Sequence, residues 1–564
     1  MIEHSAASAR AASRTQASLR WLSLGDRAVL ALVIVALLVV TSLPYLYGYA
    51  ASPADQRFTG IMLNVPDNVQ YLSWLRDHRT DLLISNRLTP EANEPALFNL
   101  LWLVVARVAV ATGWSVPLLF HGLRTVAGTV ALLTLYALCR YFTSTRAERW
   151  CAILLVACGA GLGWVWVVDK YLNGLPDVRF PFDLYVAEPN IVLSLLAFPH
   201  FLIAAALIMG VFLLFLRALR LHSWASAALA ALLGLTLTLQ HAYDLLIITL
   251  VPAGALVLIA LRDRSIPWFG GLALLLIGAV ATPPALYFTI LTSRDPLWRE
   301  VLAQFANAGI YTPAPPHLLI LMGLPLLLLL VGIGWEALRA LRGAPLGGWP
   351  AAADADLFLW AWLGIGFLLL YVPTDFQIHM LNTWQIPVAL LAVRLLFRRV
   401  LPALSPRQAW LRRAAPLLLV LAVLPANLYL IAWRFVDLSR HRSPYFISQH
   451  DDAVLAWLEA HANRETVVLS GLHLGQYVPA RSDARTFIGH WAQTVDYYGK
   501  QEALRRFFDQ ATDDADRLAL LREFDVTYLL YGAEERALGG YAVGDSPLLE
   551  PAFASGDVTV YRVR

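Results

Sequence analysis

The sequence predicts a polytopic α-helical membrane protein, with about 11–13 transmembrane helices, that ends in a small extracytoplasmic α/β domain. Three observations carry that expectation. Hydrophobic residues make up 58% of the 564 positions and charged residues only 15%, outside the range of water-soluble chains. Apolar runs of about 18 residues or more recur between Arg27 and Phe435, each long enough to cross a hydrocarbon core of roughly 30 Å at about 1.5 Å per helical residue. From Asp437 onward the chain turns polar and mixes alternating with helical patterns. The long runs exclude a β-barrel. The net charge of +3 argues against a nucleic-acid surface, and no nucleic-acid partner is expected. Cys139, Cys151 and Cys158 all lie in or at the ends of apolar runs, which leaves no disulfide framework or zinc ribbon.

In chain order, residues 1–26 form an Ala/Ser/Arg-rich tail expected in the cytoplasm. The run Ala28–Tyr49 has no small-residue cleavage pattern after a short core, so it reads as an uncleaved first span. The polar stretch 51–95 follows as a long first outer loop. Further spans are expected at 96–113, 117–140, 149–168, 199–217, 223–240, 243–262, 267–292, 317–340, 356–372, 382–397 and 414–434, which makes twelve and completes a membrane module over 27–434. Arg-bearing loops at 140–149, 217–223, 262–267 and above all 394–413, which holds six Arg and no acid, are expected inside. The loops 169–198, 293–317 and 371–379 then face out, together with the domain 435–564. An inside tail and an outside domain require an odd number of crossings, so twelve is one too many or too few; the weakest is 96–113. In the last domain, 466–469 and 526–531 read as strands, and 452–461 and 501–510 as helices.

The first outer loop holds the most informative residue. Asp67 follows Pro66 and opens an amphipathic pattern in which Val69, Leu72, Trp74 and Leu75 lie on the bilayer while Gln70, Ser73 and Arg76 point elsewhere. A carboxylate there has two readings: a helix N-cap, or a functional acid held at headgroup level.

The loop Asp67 to Tyr71-Leu, Thr89-Pro-Glu91, Asn99-Leu-Leu-Trp, Glu188-Pro-Asn190, Phe198-Pro-His200-Phe, Gln240-His-Ala-Tyr-Asp244 and Gln377-Ile-His379, in that order, resemble the GT-C superfamily of integral-membrane glycosyltransferases. In particular the sequence resembles bacterial members with an outward C-terminal α/β domain, related to protein mannosyltransferases and aminoarabinose transferases. The resemblance implies a cell-envelope enzyme of the cytoplasmic membrane, inverting, that transfers a sugar from a polyprenyl-phosphate donor to an acceptor of unassigned kind, with membrane lipid around it. It implies that Asp67 is the catalytic acid, acting as general base or orienting a divalent cation, Mg or Mn. Many members carry two adjacent acids here, whereas Asp67 is followed by Asn68, so the metal ligands stay unassigned.

Polar groups at membrane depth are costly, which makes those in or beside the apolar runs candidates for substrate binding. They are Arg124, Glu188, His200, His241, Asp244, Gln377 and His379, to which the resemblance adds Tyr71, four residues after Asp67. Arg124 either snorkels, caps a carboxylate or holds the donor phosphate, and His241 with Asp244 forms either a structural or a catalytic pair. His490 in the last domain reads as a loop residue, with acceptor binding the second reading. The run Gly159-Ala-Gly-Leu-Gly lies inside an apolar span and reads as close helix packing. The rival classes are a transporter or lipid flippase, which needs a polar path through to the cytoplasmic side, and a non-catalytic envelope assembly protein.

Overall fold

The computed structural model describes residues 24–175, 182–307, 311–342 and 352–564. Most of the expected N-terminal tail lies outside the described residues, as do parts of the loops 169–198 and 293–317.

Seven helices among the described residues are long and apolar enough to cross a membrane: Leu24–Ala50, Val116–Phe142, Pro199–Leu221, Ala242–Asp263, Trp268–Arg294, His317–Leu341 and Ala409–Ser439. The bent pair Arg146–Cys158 and Gly163–Asn173 makes eight if it counts as one span. This is fewer than the twelve expected, because several apolar runs are cut short by their own end signals. The run at 96–113 is helical only over Leu100–Thr112: the Asn99 side chain accepts from the Trp102 amide at one end, and Gly113 turns left-handed (φ 68°) at the other. Thirteen residues reach only about 20 Å. The runs at 223–240 and 356–372 become helices of 15 and 16 residues, and 382–397 keeps a regular α-helix only over the 11 residues Gln385–Leu395.

The span expected at 149–168 is broken at the glycine run, where the two halves bend by 47°. Close packing is the cause, but by backbone rather than helix faces. Leu162 donates its N–H to the Ile320 carbonyl (2.7 Å), and a Cβ on Gly161 would sit 1.9 Å from that oxygen. In the bundle centre Phe212 meets Trp362 and Phe358 edge-on at 4.8 and 5.0 Å, all three fully buried.

Strand β1 (Gln56–Phe58) pairs antiparallel with β2 (Phe446–Ser448) and ties the first loop to the start of the last domain. That domain contains β3 (Val467–Leu469), β4 (Arg485–Thr486), β5 (Val526–Tyr531), β6 (Leu549–Ser555) and β7 (Val558–Val563), in the order β4-β3-β5-β7-β6. β3 is parallel to both neighbours and wholly buried, which suits its Val-Val-Leu sequence; β5, β7 and β6 run antiparallel. Helices Gln449–His461 and Tyr497–Phe508 occur near the positions expected, the first begun by a capping box between Ser448 and Asp451.

The loop helix Val65–Asp77 corrects the expectation that its apolar side rests on the bilayer. Ile61, Val65 and Val69 are buried in one cluster with Val454, Leu455 and Val478 of the C-terminal domain, while Leu75 packs against Trp102 and Val105. Gln70 and Ser73 are buried as well. The helix is sandwiched between bundle and domain, so both its faces are covered by protein. Arg87 and Asp77 form an ion pair at 2.7 Å within this layer, both side chains almost fully buried. Arg87 also donates to the Ser482 carbonyl (2.8 Å), and Arg76 reaches Asp483 at 2.7 Å and Glu459 at 3.0 Å. Burial pushes the Asp77 carboxyl above its usual value even though Arg87 pulls it down. Removing one partner from such a pair leaves a charge stranded in low dielectric. Arg87→Ala is expected to destabilise the folded protein by about 3–5 kcal/mol, and Arg87→Ala with Asp77→Ala by clearly less, measured as thermal unfolding in detergent.

Candidate functional site

Asp67 sits at the third position of the loop helix, three residues after the N-cap Asn64. It is therefore not the N-cap. Asn64 adopts a left-handed conformation (φ 41°), which Asn tolerates better than most residues. Its side-chain amide donates to Asp67 Oδ2. The other oxygen, Oδ1, lies 2.8 Å from His490 Nε2. Two residues 423 positions apart thus share one contact, with His490 only 2% exposed and Asp67 27%.

The Asp67 carboxylate borders a cavity of about 750 Å³ at the end of the bundle that carries the C-terminal domain. Three parts of the chain wall it. The loop helix contributes Asn64, Asp67, Gln70, Tyr71 and Trp74; the helical bundle contributes Trp102, Glu188, His200, Gln240, His241, Tyr243, Phe288 and His379; the domain contributes His490, Trp491 and Gln493. Tyr71 stacks on Trp102 (5.1 Å between rings), and its hydroxyl lies 3.4 Å from His200 Nε2. Burial, with the Asp67 and Glu188 carboxylates nearby, pushes the Tyr71 phenol far up, so it stays protonated near neutral pH. His379 Nδ1 meets Glu188 Oε1 at 2.5 Å, and His241 Nδ1 lies 2.9 Å from the Tyr243 hydroxyl. The rings of His200 and His241 are 5.4 Å apart.

Of the expected site residues, Asp67, Tyr71, Glu188, His200, His241 and His379 border this one cavity. Three others do not. Asp244 is wholly buried behind it, 3.4 Å from both His241 Nδ1 and Asn382 Nδ2. Gln377 opens a short 3₁₀ turn and stands outside the cavity wall, although Phe376, Ile378 and His379 belong to it. Arg124 is consumed in tying helices together. It donates to the carbonyls of Leu195 (2.6 Å) and Thr41 (3.1 Å), lies 3.1 Å from His121 Nδ1, and covers the Tyr45 ring at 4.4 Å.

A divalent cation, Mg or Mn, finds no preformed set of protein ligands among the described residues. Among the described residues no group of three or more His, Cys, Asp or Glu side chains is placed to hold one. Both Asp67 oxygens already face N–H donors, and Glu188 is engaged by His379.

Together, an apolar helical bundle, a polar cavity at one end and an α/β domain closing over it define a class of multi-pass membrane protein. No protein-family model and no curated protein matches the sequence. Solved structures do match in fold. Archaeoglobus fulgidus oligosaccharyltransferase, tethered with an acceptor peptide containing the NVT sequon, is 13% identical, with a TM-score of 0.50 over 89% of this chain and 69% of that one. The apo form of the same enzyme is 12% identical at a TM-score of 0.50, over 89% and 70% of the two chains. The chain thus shares the fold of a membrane glycosyltransferase.

The position of Arg124 yields a test. Its removal takes a buried donor from the carbonyls of Leu195 and Thr41, and a buried acceptor left without any other donor costs about 1–3 kcal/mol. Arg124→Met is expected to lower the thermal unfolding temperature and the amount of protein in the membrane. The surviving folded protein should keep its ligand affinity, because the guanidinium is outside the cavity.

Proposed function

We propose that the protein is a GT-C-type membrane glycosyltransferase that transfers a sugar from a polyprenyl-phosphate-linked donor to an acceptor on the outer face of the cytoplasmic membrane, with Asp67 as general base. The observation that carries this reading is the placement of the Asp67 carboxylate: partly exposed, on the wall of a cavity shared by the bundle, the loop helix and the C-terminal domain. The fold shared with an oligosaccharyltransferase supports the class of reaction.

In this mechanism the acceptor hydroxyl or amine attacks the anomeric carbon of the donor sugar as Asp67 takes its proton. The bond from that carbon to the phosphate oxygen breaks, its electron pair leaves with the polyprenyl phosphate, and the configuration inverts. The protonated Tyr71 hydroxyl and the imidazoles of His200, His241 and His379 supply hydrogen-bond donors for the phosphate and sugar. Trp74 and Trp491 offer aromatic faces, and Gln70, Gln240 and Gln493 polar contacts, suited to a sugar ring. No step is routed through a metal ion. The transport reading draws no support from the bundle centre, where the described side chains Phe212, Phe215, Phe358 and Trp362 are fully buried and apolar.

Asp67→Asn tests the base. The amide keeps nearly the same volume, and Asn64 can turn its own amide to accommodate it. Folding and membrane insertion should therefore survive while transfer falls by about two to four orders of magnitude. The readout is glycan complementation of a deletion strain, with the variant's membrane level checked by immunoblot. Wild-type glycosylation would end the claim. A second measurement addresses orientation. A reporter fused after Arg564 should be active only outside the cytoplasm, as the Arg-rich segment 394–413 implies.

A further inference from the structure

We propose that His490, supplied by the C-terminal domain, is a positioning residue that holds the Asp67 carboxylate through a fixed hydrogen bond from Nε2–H. The proposal rests on the reading of Asp67 as the base and names what orients it.

The protonation state follows from the partners of the ring. His490 Nδ1 faces two backbone donors, the amides of Ala492 (3.0 Å) and Gln493 (3.2 Å). A nitrogen that accepts from N–H groups carries no hydrogen of its own. In the neutral ring the proton is then on Nε2, aimed at Asp67 Oδ1 at 2.8 Å. The Nδ1 lone pair is thus taken up by the two loop amides. The His490 loop is fixed on every side. The Thr494 hydroxyl accepts from the amides of Gly489 (3.0 Å) and His490 (3.1 Å) and donates to the Leu88 carbonyl (2.6 Å), while Asn86 donates to the Gln493 carbonyl (2.8 Å). These contacts hold the imidazole with Nε2–H directed at Asp67. With Asn64 on Oδ2, it fixes the carboxylate plane and leaves the remaining lone pairs for the acceptor's proton.

Two substitutions separate this role from that of a loop anchor. His490→Gln places an amide near the position of Nε2 and keeps a donor for Asp67; His490→Asn places an oxygen near Nδ1, keeps an acceptor for the loop amides and loses the reach to Asp67. Positioning predicts that Gln retains kcat within about fivefold, whereas Asn loses about ten- to a hundredfold in kcat with KM little changed, the scale of removing an orienting partner. In the Asp67→Asn background, His490→Asn should add no further loss, since the two act as a unit. Full kcat in His490→Asn, or a fall in His490→Gln as deep as in His490→Asn, overturns the proposal. Thermal unfolding of the wild type, Asp67→Ala, His490→Asn and the double variant Asp67→Ala/His490→Asn reads the contact without any transfer assay, because Ala leaves no acceptor for the imidazole. A non-additive shift supports the Asp67–His490 pair, and strict additivity refutes it. If the wild-type protein transfers no sugar while this coupling is present, the proposed reaction fails and the His490–Asp67 contact stands apart from it.

Discussion

The clamp between the first loop and the C-terminal domain is the constraint on which the site depends. Asp67 lies in a short helix that would have no fixed orientation as a loop between apolar runs. It is held because Ile61, Val65 and Val69 complete the core of a domain that begins nearly 400 residues later, and because β1 pairs with β2. Polar contacts run along the same seam. Arg87 crosses to Ser482, Arg76 to Asp483, and the buried Lys500 ammonium meets Glu91 at 2.5 Å. Burying these charges is costly, and they persist because each finds a partner. What the seam gains is register, since Leu88 and Asn86 anchor the very loop that brings His490 to Asp67.

The cavity lies where three environments meet, and its chemistry reflects that. Apolar side chains such as Leu245, Leu246 and Phe288 suit hydrocarbon, while Asn64, Gln70 and Gln493 suit a hydrated ligand. Several hydrogen bonds inside are made between side chains brought together from distant parts of the chain, as in Glu188 with His379 and Tyr71 with His200. Each such group would be a penalty if unpaired, which explains why polar residues scattered through apolar runs converge at one end of the bundle. Arg124 obeys the same rule by another route: backbone carbonyls, not a ligand, satisfy it.

Much of the architecture was legible in the sequence because it rests on local signals. Apolar run length announced the membrane helices, and the alternating segments at 466–469 and 526–531 announced β3 and β5. Glu188, His200, His241 and His379 stood out as polar groups next to apolar runs, Asp67 and Tyr71 through the pattern of the first outer loop, and all six share one cavity wall. Tertiary structure decided the rest. Amphipathicity says that a helix face must be covered, not by what, so the loop helix was read onto the bilayer when it packs under the domain. An intramembrane Arg says that a partner exists, not whether it is phosphate or carbonyl. His490 looked like any loop histidine, since nothing within a few residues records a contact 423 positions away. Hydrophobic pattern and end signals act over a turn or a strand; the pairing of Asp67 with His490 exists only after two distant segments have been folded against each other.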